Sequence, residues 1–262
     1  MLKNIKEYVS ARKLEIKDRV SKLSVKPGLL IIRNSNDEAS NRYVRNKMKD
    51  CAEVGIHADE YHLTTSDDRY AKFMTSMITR HYNAVIVQLP CEIKNPDALF
   101  NESQDVDGFI NPNITPCTPK GIIDYLAYCG YTDFSGQTVL IINRSDIVGR
   151  PLAKLFLDRN ATTIVAHSKT KNLQSLIAAA DIIVTAVGKP NFITKDMIRD
   201  NQIVIDVGIT FDENGKLCGD CERGMGENVT PVPGGVGLLT RVALLENILA
   251  ISSPKDEVFE LW

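Results

Sequence analysis

Residues 138–151 read Thr-Val-Leu-Ile-Ile-Asn-Arg-Ser-Asp-Ile-Val-Gly-Arg-Pro, and they give the clearest indication of the fold class. The first five are β-branched or apolar and predict a buried strand. In the turn that follows, Gly149 allows a close approach of main chain, and Pro151 suits the first turn of a helix. A buried strand that passes through such a turn into a helix is typical of the first unit of a dinucleotide-binding half-domain.

The pattern repeats towards the C-terminal side of this stretch. Further strands are predicted, and helices are predicted between them; Asn172 and Thr194 are the expected N-caps of the second and third helices. The predicted strands are 162–166, 182–186 and 203–207, and the first two helices are 151–158 and 173–180. Alternation of strands and helices predicts a parallel sheet with both faces covered.

The N-terminal half shows the same alternation with weaker signals. Its predicted helices are 5–23, 37–54 and 67–80, and its predicted strands are 29–32, 58–63 and 84–89. Further helices are expected at 122–128 and 239–251. We therefore expect an α/β protein of two lobes with a cleft between them: residues 1–120 with 241–262, and a Rossmann-type parallel-sheet lobe of residues 121–240.

Composition excludes several classes of function. The 262 residues carry 31 Lys and Arg against 33 Asp and Glu, so no basic excess points to nucleic acid. No apolar run approaches the ~20 residues of a membrane span, and the N-terminus lacks an apolar signal core. We therefore expect a cytoplasmic protein that binds neither nucleic acid nor membrane.

The candidate dinucleotide turn is a weak motif by itself. It carries Gly149 in place of a full G-x-G-x-x-G pattern, so an ordinary strand-to-helix turn stays open as an alternative. His167-Ser168-Lys169 ends the next strand without the carboxylate that binds the ribose of NAD. Arg144 and Ser168 could instead hold a 2′-phosphate, which favours NADP over NAD.

A second group of polar residues lies in the N-terminal half. Tyr43 and Lys47 are four residues apart on a predicted helix and share one face. Gln88 ends a predicted strand, where α/β sheets bind ligands, and Asp107 follows in a loop. A lysine amine beside an amide and a carboxylate could serve acid–base chemistry, although such a helical pair is more often a surface feature.

Two further motifs are less informative. The loop Pro231–Gly237 combines two prolines with three glycines, which suits either main-chain contact with a flat ligand or a rigid turn. Cys218 and Cys221 form a C-x-x-C, which could be redox-active or half of a zinc site. No partner motif accompanies it, so we expect two free cysteines and no metal.

Together the motifs resemble the bifunctional methylenetetrahydrofolate dehydrogenase/methenyltetrahydrofolate cyclohydrolase family. The matching segments, in chain order, are 39–40 with 43–47, 87–90, 105–109, 116–121, 144–151, 160–162, 167–170, 186–190, 204–209 and 230–237. The resemblance implies an enzyme, usually a homodimer, of one-carbon metabolism and purine biosynthesis. It would oxidise 5,10-methylenetetrahydrofolate with NADP and hydrolyse the methenyl product to 10-formyltetrahydrofolate.

Roles carried over from the family are expectations at matching positions. Lys47 would be the catalytic lysine and Gln88 would set its hydrogen bonding, while Tyr43 would stack on the folate and Asp107 would hold its pterin. The remaining assignments are main-chain contacts to folate from Pro233 and Gly234, and cofactor contacts from Arg144, Ser145, Ser168, Ile209 and Thr240. Asn143 stands where the family usually has Gly, Leu238 replaces a usual Pro, and segments 109–116 and 220–228 are shortened.

Alternative functions stay open at this point. A dehydrogenase without cyclohydrolase activity would share most of these motifs. A two-lobed amino-acid or shikimate-type dehydrogenase should lack the set of Tyr43, Lys47, Gln88 and Asp107. A non-catalytic dinucleotide-binding regulatory protein would have no need of the lysine and its partner amide.

Overall fold

Two parallel β-sheets organise the protein, as seen in a computed structural model that describes residues 1–35 and 38–252. The strands are β1 (Gly28–Arg33), β2 (His57–His62), β3 (Ala84–Val87), β4 (Thr138–Ile142), β5 (Thr162–Ala166), β6 (Ile182–Thr185), β7 (Ile203–Asp206), β8 (Thr210–Phe211) and β9 (Leu217–Cys218). The helices are α1 (Ile5–Lys22), α2 (Glu38–Val54), α3 (Asp68–Thr79), α4 (Cys117–Tyr128), α5 (Gly149–Leu157), α6 (Leu173–Ala179) and α7 (Val236–Ser252). Short 3₁₀ turns occupy Pro96–Leu99, Glu102–Gln104 and Lys195–Met197.

The backbone contacts divide the chain into two compact units. One unit, called here the N-terminal unit, comprises Ala11–Cys117 and the described residues from Arg241 onward. The other, called the C-terminal unit, comprises Met1–Ser10 and Thr118–Thr240. The unit boundaries therefore fall within α1 and α7 and at the start of α4, and each unit is interrupted in sequence.

The sheet of the N-terminal unit has the strand order β2-β1-β3, with all pairs parallel. The central strand β1 is buried along Leu29–Ile32, and so is β3 from Ala84 to Val87. Strands that are buried on both faces consist of continuous apolar residues, which is why these segments could be predicted from sequence. A core cluster on one face of this sheet contains Leu30, Val85, Ala71 and Leu99.

The main sheet of the C-terminal unit has the strand order β5-β4-β6-β7, again with parallel pairs. After β4 the chain adds β5 on one side and β6 on the other, so the order reverses between β4 and β6. In open α/β sheets, ligands bind at the carboxyl ends of the strands beside such a reversal. The turns after β4, β5 and β6 are therefore the expected ligand-binding edge of this unit.

Some sequence-based expectations need correction. Asn172 lies at the N-cap of α6 but adopts left-handed backbone geometry and makes no side-chain cap bond. Thr194 gives its hydroxyl proton to Asp196 at 2.6 Å, and the segment after it forms a 3₁₀ turn in place of an α-helix. Helix α4 begins at Cys117, earlier than expected, and the hairpin β8–β9 was not anticipated. The expected first residue of α2, Asp37, lies outside the described residues.

Candidate active site

Tyr43 and Lys47 are four residues apart on α2, and Lys47 reaches Gln88 at the carboxyl end of β3. The Lys47 ammonium donates to the Gln88 Oε1 at 3.1 Å, and the Gln88 Nε2 donates to the Leu89 carbonyl at 2.8 Å. Because Nε2 is held by this carbonyl, the amide oxygen is the atom that faces Lys47. Burial raises the pKa of the half-buried Tyr43, and the charge of Arg241 opposes that rise.

Asp107 lies in the loop after β3 and is close enough to Lys47 to interact electrostatically. Burial raises the pKa of the Asp107 carboxyl, and the nearby Lys47 charge partly counteracts this rise. The structure thus brings together the amine of Lys47, the amide of Gln88 and the carboxyl of Asp107. An amine, an amide and a carboxyl in a partly dehydrated site can bind a polar heterocycle and exchange protons with it.

The loop that carries Asp107 is shaped by another carboxylate, Asp105, which is 1% exposed. Its Oδ1 accepts the backbone N–H groups of Asp107 and Gly108, at 3.0 and 3.1 Å. Its Oδ2 accepts those of Ile110 and Asn111, at 2.7 and 3.1 Å. Asp105 was missed in the sequence interpretation, although an Asp that precedes a tight Asp-Gly turn is a known signal for this geometry.

In the C-terminal unit, the turn after β4 is organised by Asn143. Its Oδ1 accepts from the Ser145 N–H, the Ser145 hydroxyl and the Gly149 N–H, at 2.8, 2.7 and 3.2 Å. Its Nδ2 donates to the Ala186 carbonyl beyond β6, at 2.7 Å. Asn143 thereby joins the two strands at which the sheet order reverses. Asn143, which stands where the family usually has Gly, therefore makes the hydrogen bonds that hold this turn together.

The start of α5 uses its own N–H groups within the turn. The Val148 N–H donates to the Ser145 hydroxyl, and the Arg150 N–H donates to the Ser145 carbonyl. Gly149 is required here, because a Cβ at this position would lie 2.1 Å from the Asn143 carbonyl oxygen. Contacts to a phosphate at this edge would therefore come from neighbouring side chains more than from these particular N–H groups.

Most of the expected cofactor residues lie in segments that follow strands of the C-terminal sheet. Arg144 and Ser168 follow the adjacent strands β4 and β5, and both are exposed. Ile209 follows β7 and is 47% exposed. Thr240 lies on α7, where its hydroxyl is 3.0 Å from that of Thr118. Of these residues, Arg144, Ser168 and Ile209 have exposed side chains that are open to a ligand.

Two buried carboxylates, Asp206 and Asp220, connect the end of β6 with the segments after β7 and β9 through hydrogen bonds. Asp206, 2% exposed, accepts the N–H groups of Gly208, Asp220 and Cys221. Asp220, fully buried, accepts from the Thr185 hydroxyl and from the N–H groups of Val187 and Lys189. Burial raises the pKa of Asp206. The pair fixes the loops beside the predicted dinucleotide edge and was not foreseen from sequence.

The loop with Pro233 and Gly234 belongs to the C-terminal unit. Gly234 has φ 98°, a left-handed conformation that suits glycine, and a Cβ on Gly235 would lie 2.2 Å from the Pro231 carbonyl oxygen. Pro233 and Gly234 border a cavity of about 380 Å³ that Tyr125 and the first residues of the chain also line. The backbone of this loop is thus held in a tight, defined path.

The cysteines of the C-x-x-C motif are free and buried. Burial raises the pKa of both thiols, with Asp206 adding to the rise at Cys221. Among the described residues, no group of three or more His, Cys, Asp or Glu side chains could hold a metal ion. Within the same residues, no helix has the length and apolarity needed to cross a membrane.

Fold and site together define a two-domain α/β protein with a dinucleotide-type sheet edge in one unit and a lysine-centred polar site in the other. Sequence models of the tetrahydrofolate dehydrogenase/cyclohydrolase family match both parts: the catalytic domain at residues 3–110 and the NAD(P)-binding domain at residues 116–255. The chain belongs to this family.

Individual relatives agree with this assignment. A bifunctional protein FolD from Bacillus cytotoxicus is 39% identical, in an alignment that covers 92% of each chain. The structure of the FolD methylenetetrahydrofolate dehydrogenase/cyclohydrolase from Campylobacter jejuni has a TM-score of 0.89 at 33% identity and covers 96% of this chain and 98% of its own. The Trypanosoma brucei FolD, solved with NADP cofactor and an inhibitor, has a TM-score of 0.87 at 27% identity, with 96% and 97% covered.

These similarities confirm the resemblance and the α/β class with two domains. They also confirm, at the level of the family, the prediction of an enzyme with dehydrogenase and cyclohydrolase activities. The domain match further establishes a nicotinamide-dinucleotide type of binding domain. The roles of individual residues and the choice between NADP and NAD remain predictions.

Proposed function

We propose that this protein oxidises 5,10-methylenetetrahydrofolate with NADP and hydrolyses the methenyl product to 10-formyltetrahydrofolate. Residues 1–120 with 241–262 would form the folate-binding catalytic lobe, and residues 121–240 the NADP-binding lobe. The observation that carries the proposal is the hydrogen bond from Lys47 to Gln88, with Asp107 within electrostatic reach of the same amine. Binding of a dinucleotide alone would not require this arrangement.

Lys47 is the proposed catalytic residue of the hydrolysis. Water adds to the methenyl carbon, the bond from that carbon to one of its two nitrogens breaks, and a proton is released. The amine can carry this proton between water and nitrogen because Gln88 holds it in a fixed position. Asp107 would bind the pterin, Tyr43 would stack on the folate, and the main chain of the Pro233–Gly234 loop would contribute further contacts.

The residues at the dinucleotide edge fit the proposed cofactor. Arg144 and Ser168 are exposed donors after neighbouring strands, and no carboxylate occupies the His167-Ser168-Lys169 segment. They would hold the 2′-phosphate, while Ser145 contributes through the turn that its hydroxyl closes. Ile209 and Thr240 would contact the rest of the dinucleotide. The nicotinamide ring supplies the hydride acceptor, so the protein mainly positions two flat rings.

An absorbance assay with methylenetetrahydrofolate and either NADP or NAD tests the oxidation. We expect reduced cofactor to form with a lower KM for NADP, because Arg144 gains a charge-assisted bond to the extra phosphate. Equal or better use of NAD would refute the assigned 2′-phosphate site. No reduced cofactor with either dinucleotide would refute the dehydrogenase and favour a binding or regulatory protein.

Replacement of Lys47 tests the hydrolysis. In Lys47→Met we expect the hydrolysis of methenyltetrahydrofolate to be lost while the folate still binds, because Met is unbranched and close to Lys in size but lacks the amine. Lys49→Met, an exposed position on the same helix, is the matched control and should hydrolyse normally. Unchanged hydrolysis in Lys47→Met would exclude the assigned role. If the parent enzyme does not hydrolyse methenyltetrahydrofolate, the protein is a dehydrogenase without cyclohydrolase activity.

The family resemblance also leads us to propose a homodimer located in the cytoplasm and serving purine biosynthesis. Light scattering of the purified protein would test the oligomeric state, and a monomeric mass would refute the dimer.

A further inference from the structure

Asn247 is a buried amide, 3% exposed, on helix α7, whose residues are mostly apolar. Its Nδ2 donates to the carbonyl oxygens of Val106 and Thr115, at 2.9 and 3.0 Å, and lies 3.5 Å from the Cys117 sulfur. Its neighbours on the helix include Leu244, Leu245 and Ile248, which are all buried apolar side chains. A lone amide in such surroundings is costly unless its hydrogen bonds are made.

The acceptors of Asn247 lie at the two ends of one loop. Val106 precedes Asp107, whereas Thr115 and Cys117 close the loop nine to eleven residues later. Asp105 ties the first half of this loop together from within through backbone N–H groups. Asp105 accepts backbone N–H groups of the loop, whereas the Asn247 amide donates to backbone carbonyls at its two ends. Asn247 therefore joins the two ends of the loop through a side chain on another element, α7.

We infer that Asn247 is a positioning residue for the folate reaction: it clamps both ends of the 106–117 loop and so holds Asp107 at the site of Lys47. This inference rests on the proposed function, because it concerns the residue proposed to bind the pterin. Asn247 itself does not need to touch the substrate. Its effect reaches the reaction through the backbone that carries the Asp107 carboxyl.

Cys117 provides an internal reporter of the clamp. Its thiol is buried, donates to the Val106 carbonyl at 3.2 Å and has a pKa raised by burial, with the Asp107 charge adding to the rise. A thiol in this state reacts slowly with alkylating reagents, since the thiolate is the reactive form. Opening of the loop would expose Cys117 and increase its rate of alkylation.

The experiment compares Asn247→Leu with the parent enzyme and with Glu246→Gln. Leu has the same branching at Cγ as Asn, with two methyl groups in place of the amide oxygen and nitrogen, and has no donors. Glu246 is the preceding residue on α7, is buried to a similar degree and pairs with Arg12 on α1. Its substitution perturbs the packing of α7 through a different contact. KM and kcat are measured for methylenetetrahydrofolate and for the dinucleotide, and iodoacetamide labelling of Cys117 is located by peptide mass spectrometry.

In Asn247→Leu we expect the folate KM to rise about tenfold, as for loss of a buried hydrogen-bonding amide, with little change in the dinucleotide KM. Labelling of Cys117 should accelerate in this variant and be slowed by bound folate. Glu246→Gln should show neither effect, and Asn247→Gln, which retains an amide, should recover part of the folate affinity.

An unchanged folate KM and unchanged Cys117 labelling in Asn247→Leu would overturn the inference, as would equal effects in Glu246→Gln. An inactive parent enzyme would instead refute the proposed function. If Asn247→Leu fails to fold, Asn247→Ser and Asp105→Asn replace it. Each weakens one side of the same clamp, so a normal folate KM in both would equally overturn the inference.

Discussion

Gly149→Ala is the substitution for which the structure gives the most direct magnitude. The added Cβ would lie 2.1 Å from the Asn143 carbonyl oxygen and 2.5 Å from its carbon, both rigid backbone atoms. Ordinary contacts begin near 3.4 Å, so the start of α5 and the end of β4 must separate by about 1.3 Å. Overpacking of this kind typically costs about 1–3 kcal/mol in the free energy of unfolding.

The separation also breaks the bond from the Gly149 N–H to the Asn143 side chain, which organises the turn. We therefore expect a lower urea midpoint together with a dinucleotide KM raised by about tenfold or more, while methenyltetrahydrofolate hydrolysis keeps its folate KM. Gly237→Ala is the matched control for stability. That residue also lies in the first turn of a helix, but its Cβ would meet nothing within 4 Å, so no loss of stability is expected. A Gly149→Ala enzyme with the parent's urea midpoint and dinucleotide KM would refute the reasoning.

Two carboxylate substitutions give opposite predictions for stability. Burial raises the pKa of Asp107, so the folded protein binds the carboxyl proton more tightly than the unfolded chain does. The free energy of unfolding therefore falls as the pH rises from the ordinary Asp pKa through the raised pKa of the folded protein. Asp107→Asn should therefore unfold at higher urea concentration than the parent at neutral pH, with a difference that shrinks towards the ordinary Asp pKa, while its folate KM increases; a less stable variant at neutral pH would contradict this. Asp220→Asn replaces one acceptor oxygen by a donor and leaves at least one of its three donors, such as the Lys189 N–H, without this partner, so we expect a loss of about 1–3 kcal/mol in urea unfolding and a higher dinucleotide KM. Parent-like urea unfolding would show that the carboxylate pair does not hold these loops.

The regular elements of the fold could be predicted from sequence because their signals are local. Strands β4 and β5 were predicted with their observed bounds, since a run of β-branched and apolar residues between turn signals needs no distant information. The predicted N-cap at Thr194 was wrong because its side chain makes another local hydrogen bond in place of the cap bond. The hydroxyl of Thr194 is taken by Asp196, which a list of cap-forming residues does not reveal.

The site was predictable to the extent that its residues lie in recognisable motifs. The contact between Lys47 and Gln88 joins residues 41 positions apart, and it could be expected because each was placed at the correct end or face of its own element. Asn247 could not be found in this way. It is 130 residues from Cys117, and its importance depends on which carbonyls α7 meets, which only tertiary packing determines.

In both units, the loops at the carboxyl ends of the sheets have their backbone N–H groups satisfied by short polar side chains. A loop that presents a ligand site at the carboxyl end of a sheet has no ladder or helix to satisfy its backbone N–H groups, and burial makes unsatisfied groups costly. Here a short polar side chain supplies the acceptor: Asp105 after β3, Asn143 after β4 and Asp206 at the end of β7 each receive backbone N–H groups from the residues that follow. Because each acceptor is itself fixed by the neighbouring strand or its own backbone, the loop geometry is established before any ligand binds. Substitution of any of these acceptors should therefore raise the KM of the ligand bound in the same unit, and it should also lower the free energy of unfolding, because backbone N–H groups lose their partner.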